Sequence, residues 1–266
     1  MVTEALQPRV AVLKFPATNC DEETAFAFDQ AGGNVDTILL SQLRNGEVKL
    51  SDFQIVALPG GFSFADDLGS GTIAGLQLDT YLGNQIEEFK EKGIMIGICN
   101  GDQILTRSGL LPFGTLGERA ATLDRNDSGK FLSRRINLKL NPDNKCVFLQ
   151  DLEMGAIELQ TAHGEGKLVT ATMEDLDAIE QNGQVVFRYV DLEGNPTQEY
   201  PHNPSGSPNG IAAVCDPSGH ILGIMPHPER SILRTQYPNW RRLPEDFTPQ
   251  GKIFFDKMVD YAKQGL

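Results

Sequence analysis

The chain has 266 residues, of which 40% are hydrophobic and 22% charged, and carries a formal net charge of −13. Such a length allows one large α/β domain, and such acidity repels phosphate backbones and anionic lipid, so neither nucleic-acid nor membrane binding is expected. Four widely spaced cysteines, Cys20, Cys99, Cys146 and Cys215, form no C-x-x-C pair and exclude both a disulfide scaffold and a zinc ribbon. The opening residues lack a basic start and an apolar signal core, and no apolar run approaches a membrane-spanning length, so the reading is cytoplasmic.

In chain order, residues 9–15 (RVAVLKF) read as a buried strand and 21–31 as a helix capped by Asn19 or Asp21. Residues 34–40 and 53–58 read as strands, 80–92 as a helix, and 93–98 (GIMIGI) as a short buried strand leading into a helix that runs to about Ser108. Strands separated by helix-length segments imply βαβ units and a parallel sheet. The stretch 116–159 is less regular, although 133–140 alternates polar and apolar residues as a half-exposed strand does. Residues 184–190 lead into a turn at 191–195, 200–209 read as a loop, 210–215 and 220–225 as strands, and 249–263 as a closing amphipathic helix. Nothing marks a linker, so residues 1–266 read as a single domain.

Three stretches carry chemistry. Gly97-Ile98-Cys99-Asn100-Gly101 follows a buried strand and opens a helix, the pattern of a nucleophile elbow with cysteine in place of serine. The turn needs small residues two positions either side of the nucleophile, the helix N-terminus favours a thiolate, and the N–H of Asn100 would face a developing oxyanion. A lone buried cysteine is more often structural, but the two glycines and the strand–turn–helix context favour the functional reading. Leu58-Pro59-Gly60-Gly61-Phe62 closes the preceding strand, and an amide there could complete an oxyanion hole, although a Gly-Gly pair alone is more often a plain turn. Met225-Pro226-His227-Pro228-Glu229-Arg230 supplies a base and an orienting carboxylate two residues apart, which an extended backbone would hold on one side. A solvated histidine in a proline-rich turn is the bland alternative. A second His-x-Glu pair at His163 and Glu165 raises a metal site built from His163, Glu165, His227 and Glu229, but no zinc spacing supports it, and no metal is expected. No phosphate-binding glycine loop occurs.

Together these stretches resemble the class I (triad) glutamine amidotransferases. Within that class the chain is similar to the glutaminase subunits of phosphoribosylformylglycinamidine synthase, on FPATNCDEE (15–23), LPGGFSFADDLGSG (58–71), GICNGDQILTRSGLLP (97–112), AHGEGK (162–167), NGQVVFRYVDLEGNP (182–196) and GIMPHPER (223–230). The resemblance implies a flavodoxin-like fold, an α/β domain with a mostly parallel central sheet flanked by helices and an added antiparallel β region. It implies Cys99 as nucleophile, His227 as general acid/base, Glu229 as its partner, Gly61 and Asn100 as oxyanion donors, and Gln103, His163 and Gly164 as substrate-binding residues. It further implies glutamine as substrate, no cofactor in this chain, ATP and Mg on a large PurL-like synthetase subunit, and a small PurS-like subunit as an additional partner. The chain departs from the family at Asp102, where an aromatic residue is common; its place in the first helical turn suits an outward-facing side chain. Residues 230–242 are longer and more aromatic than in short family members. Glutamine hydrolysed without an acceptor is wasted, so a site organised only on docking is expected, with the Gly60–Gly61 turn as its gate.

Overall fold

The computed structural model describes residues 7–150 and 152–265. Its main sheet has nine strands in the order β2-β1-β3-β4-β11-β10-β9-β6-β7. β1 (Arg9–Lys14), β2 (Asn34–Leu39), β3 (Ile55–Leu58), β4 (Ile94–Ile98) and β11 (Ile221–Ile224) are mutually parallel. β3, β4 and β11 are buried at every position, which is why they read as unbroken apolar runs rather than alternating ones. β10 (Ile211–Cys215), β9 (Val185–Val190), β6 (Leu132–Leu140) and β7 (Ile157–His163) continue the same sheet antiparallel. The added antiparallel region is therefore an extension of the central sheet. A separate two-stranded sheet pairs β5 (Ala121–Arg125) with β8 (Glu165–Thr170).

Strand order reverses between β1 and β3, so right-handed crossovers place α1 (Asp21–Gln30) and α3 (Thr72–Lys90) on opposite faces, with the short α2 (Leu40–Arg44) following β2. Phe28 of α1 meets Phe255 of α6 (Lys252–Lys263) edge-on at 4.9 Å between ring centroids. On the other face α3 packs against α4 (Asn100–Ser108) through Gly75, where a Cβ would lie 3.0 Å from the Ser108 amide.

Several boundaries differ from expectation. α3 starts at Thr72, not near residue 80; its buried face, Ala74, Gly75, Leu78, Leu82, Ile86 and Phe89, includes a glycine that conceals the first turns of the pattern. α1 is preceded by Cys20, with no side-chain cap; Asp21 instead lies buried in the first turn and accepts from Lys14 Nζ at 2.5 Å. The turn at 191–195 returns for a single bridge between Val190 and Pro196 and no second strand follows it.

Candidate active site

Three neighbouring parallel strands deliver the chemistry-bearing residues. The Gly60–Gly61 turn follows β3, Cys99 follows β4, and His227 lies three residues beyond β11. All three sit at the carboxyl ends of the strands, where open α/β sheets bind ligands.

Cys99 has φ 51° and ψ −104°, the strained geometry of an elbow between β4 and α4. The strain is fixed by crowding on both sides. A Cβ on Gly97 would lie 2.6 Å from the Gly101 carbonyl, and one on Gly101 would lie 1.9 Å from the Leu58 oxygen. Cys99 is the residue before the first turn of α4, so the Asn100 N–H belongs to the donors that a helix start leaves unpaired. The Cys99 thiol donates to the Ala162 carbonyl at 3.6 Å.

The orientation of the second amide follows from the ladder beside it. Thr18 and Gly61 form an antiparallel bridge in which the Cys20 N–H donates to Gly60 O at 3.1 Å and the Phe62 N–H donates to Ala17 O at 3.3 Å. The Gly60 carbonyl thus points toward the continuation of β1, and across a trans peptide the Gly61 N–H points the other way, toward the continuation of β4 and Cys99.

His227 is buried, and its Nδ1 shares a 2.5 Å hydrogen bond with Glu229 Oε1. The two are not on one extended strand: His227 is extended at φ −102°, and Pro228–Ser231 then folds as a 3-10 turn that brings the carboxylate back. Nε2 makes no hydrogen bond of ordinary geometry and has the Cys99 sulfur as its neighbour. Burial alone would depress the imidazole, but the Glu229 carboxylate and the Cys99 sulfur outweigh it and hold His227 up at about 10. Gly60 lacks a side chain because a Cβ there would lie 2.8 Å from His227 Cε1.

Cys99, Gly61 and His227 line a cleft of about 220 Å³, with Asn19, Cys20, Phe62, Phe131, Ser133, Ala162 and Arg230 completing its wall. β7, the far edge strand of the sheet, returns to this cleft: its Gln160 carbonyl accepts from the His227 N–H at 2.7 Å. A buried thiol, imidazole and carboxylate beside a glycine turn and a helix start are equipped for acyl transfer from a carboxamide.

A sequence family described as the CobB/CobQ-like glutamine amidotransferase domain matches residues 7–262. The chain belongs to this family. It is 38% identical over 257 residues to phosphoribosylformylglycinamidine synthase subunit PurQ of Dehalococcoides mccartyi, covering 96% of this chain and 98% of that protein. It is 35% identical over 256 residues to human phosphoribosylformylglycinamidine synthase, covering 90% of this chain and 19% of that much longer protein. Its fold matches a chain in the structure of PurLQS from Thermotoga maritima with a TM-score of 0.71 at 28% identity, covering 97% of this chain and all of that one.

In this amidotransferase Gln103, His163 and Gly164 are close to the nucleophile but not among the cleft-lining residues. The Gln103 amide donates to Glu165 O at 2.6 Å and accepts from Asn100 Nδ2 at 2.9 Å, so both its ends are held by protein. His163 shares the inward face of β7 with Thr161, which leaves Ala162 at the cleft. Asn126 donates its amide to the Lys130 and His163 carbonyls, so its Oδ1 accepts from His163 Nδ1 at 2.9 Å. Burial, and then the nearby His227, push His163 down to about 3 and keep it neutral. The Gly164 carbonyl accepts from Asn126 N at 2.9 Å.

Asp102 requires a correction. It is buried, not outward-facing, because Gly223 on β11 has no side chain and the carboxylate fills that space; a Cβ on Gly223 would lie 2.1 Å from Asp102 Oδ1. Burial pushes its carboxyl up to about 8, against a weak bond from Thr106. Residues 231–237 pack behind the triad rather than over the cleft, with Gln236 Nε2 donating to the Glu229 carbonyl at 3.2 Å.

The metal alternative is reshaped. Among the described residues, donor atoms of Cys20, His227 and Glu229 lie within 4.8 Å of one another, without His163 or Glu165. Burial and then Glu229 push the Cys20 thiol up to about 11, and the Arg230 guanidinium at 3.3 Å opposes a second cation. Cys20 and Arg230 are wall residues that the sequence reading did not single out; the charge directly after His227-Pro228-Glu229 was the available signal for Arg230.

Proposed function

We propose that this chain is the glutaminase subunit of a phosphoribosylformylglycinamidine synthase. It hydrolyses glutamine to glutamate and supplies the ammonia for the ATP-dependent conversion of formylglycinamide ribonucleotide to formylglycinamidine ribonucleotide. The reading is carried by one observation: the ends of three adjacent strands bring a strained cysteine, a carboxylate-held histidine and a glycine amide to one cleft.

In this reading the Cys99 thiol gives its proton to His227, and the thiolate attacks the side-chain carboxamide carbon of glutamine. The N–H groups of Gly61 and Asn100 hold the oxyanion, and His227, protonated at neutral pH, gives its proton to the departing nitrogen. Ammonia leaves and a γ-glutamyl thioester remains. Water attacks the thioester, His227 takes up its proton, and glutamate departs as the C–S bond breaks. Glu229 holds the imidazole. Arg230 in the wall suits the substrate carboxylate, while Gln103, His163 and Gly164 serve the substrate by holding the loops around it. No cofactor is assigned to this chain; ATP and Mg belong to a large synthetase subunit, with a small PurS-like protein as an additional partner and the cytoplasm as the compartment.

The test is a glutaminase assay of the wild type and Cys99→Ala, with diazo-oxo-norleucine labelling read by mass spectrometry. Hydrolysis should vanish in the variant, and the label should fall on Cys99 while sparing Cys20, Cys146 and Cys215. Retained hydrolysis, or label at another cysteine, removes Cys99 from the mechanism.

A further inference from the structure

A second hollow, of about 460 Å³, opens at the carboxyl ends of β1 and β2. Phe15, Leu39, Leu40 and Phe64 make it apolar, and Lys14 and Arg44 supply cations. The cations differ in kind. Lys14 is neutralised by Asp21. Arg44 lies 5.2 Å from the centroid of the Tyr81 ring and meets no carboxylate among the described residues.

This hollow and the glutamine cleft share a wall. Ala17 faces the hollow, Thr18 bridges to Gly61, and Asn19 and Cys20 face the cleft. On the opposing segment Gly61 and Phe62 face the cleft, and Phe64 faces the hollow with its N–H on the Pro16 carbonyl at 2.8 Å. The wall is strained: Ala17, Phe64, Ala65 and Asp66 all have φ between 54° and 65°, which non-glycine residues rarely adopt. It is also tied to the elbow helix, because Asn100 Oδ1 accepts from Ser63 N at 3.0 Å and Asn100 Nδ2 reaches Asp66 at 3.4 Å. The bridge that turns the Gly61 amide toward Cys99 is therefore the partition between the two cavities.

We propose that the hollow is the docking site for a segment of the synthetase subunit, an apolar side chain flanked by a carboxylate, and that filling it secures the Gly61 amide toward Cys99. The inference rests on the reading of the chain as a synthetase's glutaminase. Charge argues for the carboxylate: on a molecule of net charge −13, Arg44 is a cation without an acidic partner among the described residues, at the rim of an apolar hollow. Extent argues for a protein segment over a metabolite, because the apolar surface runs from Leu39 in the lining past the hollow to Tyr81 beside Arg44, each 47% exposed. The bridge is isolated, so an occupant that packs on Ala17 and Phe64 supports it from the side opposite the substrate.

The experiment measures synthetase affinity and synthetase-stimulated glutaminase turnover for wild type, Leu39→Glu, Arg44→Glu and, as a remote charge control, Lys92→Glu. Both hollow variants should bind at least about tenfold more weakly and lose stimulation at concentrations that saturate the wild type, while their unstimulated turnover and the control stay near wild type. Hydrogen exchange on the wild-type chain is independent of how the variants fold, and segments 14–17 and 39–44 should slow when the synthetase binds. Variants that bind and respond as wild type does, or protection confined to other surfaces, overturn the proposal while the wild type's response keeps the glutaminase reading. Wild type that neither binds nor responds to the synthetase overturns both.

Discussion

The pair His227 and Glu229 shows how one charge favours a protonated imidazole in a buried place. Burial works against a protonated imidazole, and the 2.5 Å contact with Glu229 reverses that balance. His227→Ala should lower glutaminase turnover by about 10²–10⁴-fold. Glu229→Gln keeps a hydrogen-bonding partner but removes the charge, so burial wins and the His227 pKa falls. The variant should lose less activity than His227→Ala, and the basic limb of its pH–rate profile should move to lower pH; an unmoved limb would deny Glu229 this role. Asp102 is the opposite case, a carboxyl kept neutral by burial, with a folded pKa of about 8. A raised folded pKa means that the folded state holds its proton longer than the unfolded chain. The associated stability is fully present below the ordinary aspartate pKa and is lost as pH rises toward 8, at up to about 1.4 kcal/mol per pH unit. Asp102→Asn should flatten urea-unfolding stability across that window and leave glutaminase turnover largely unchanged. Wild type and variant running parallel from pH 4 to 8 would show that Asp102 does not titrate there. That Cys99, His227 and Glu229 come together was legible in the sequence, because each sits in a short motif with a mechanical reason. The burial of Asp102 was not, because the space it occupies is made by Gly223, more than a hundred residues away, and local sequence carries no sign of that contact.

At the scale of elements, legibility followed the period of the pattern. β3, β4 and β11 are continuous apolar runs bounded by turns and were read nearly to their ends. Among the antiparallel strands from β5 to β8, β6 showed its alternation and was read as 133–140, whereas β5, β7 and β8 were not read, because half of their residues face outward and their pairing is long-range: β5 finds β8 some forty residues later. α3 was shortened by the glycine that lets it approach α4. The elbow itself depends on glycine for space. Gly101→Ala places a carbon against the Leu58 carbonyl, so α4 must lift from β3; a loss of about 1–3 kcal/mol or more, or no soluble protein, is expected. Gly155→Ala is the matched control, with nothing within 4 Å of its new carbon and no positive φ, and its unfolding midpoint should not fall. Away from the site, Thr172 caps α5 (Met173–Gln181) by accepting from the Asp175 N–H, while Asp175 accepts in return from the Thr172 N–H. Thr172→Ala should cost about 1 kcal/mol in urea unfolding without altering glutaminase turnover. A drop in turnover there would mean that α5 reaches the cleft by a route the contacts do not show.

For the whole molecule, the proposed reading assigns the ATP-driven amidation to a synthetase partner and the hydrolysis of glutamine to this chain. The match to human phosphoribosylformylglycinamidine synthase, of which this chain covers only 19%, shows the same domain within a much longer chain. Separate subunits need a way to withhold hydrolysis until the acceptor is present. The wall between the two cavities is suited to such control, because Gly61 is held toward Cys99 by a single bridge and the residues beyond it sit in unfavourable backbone regions. Such an arrangement is productive when braced and readily lost when not. One oxyanion donor is worth roughly 10²–10³ in rate. The purified chain should therefore hydrolyse glutamine weakly, and a synthetase carrying its acceptor and nucleotide should stimulate turnover by that order. The rise should appear mainly in kcat, since an oxyanion donor acts on the transition state more than on bound glutamine. Full turnover by the isolated chain, unchanged when the synthetase is added, would remove the gate and leave the triad standing; stimulation confined to KM would move the control from the Gly61 amide to glutamine binding.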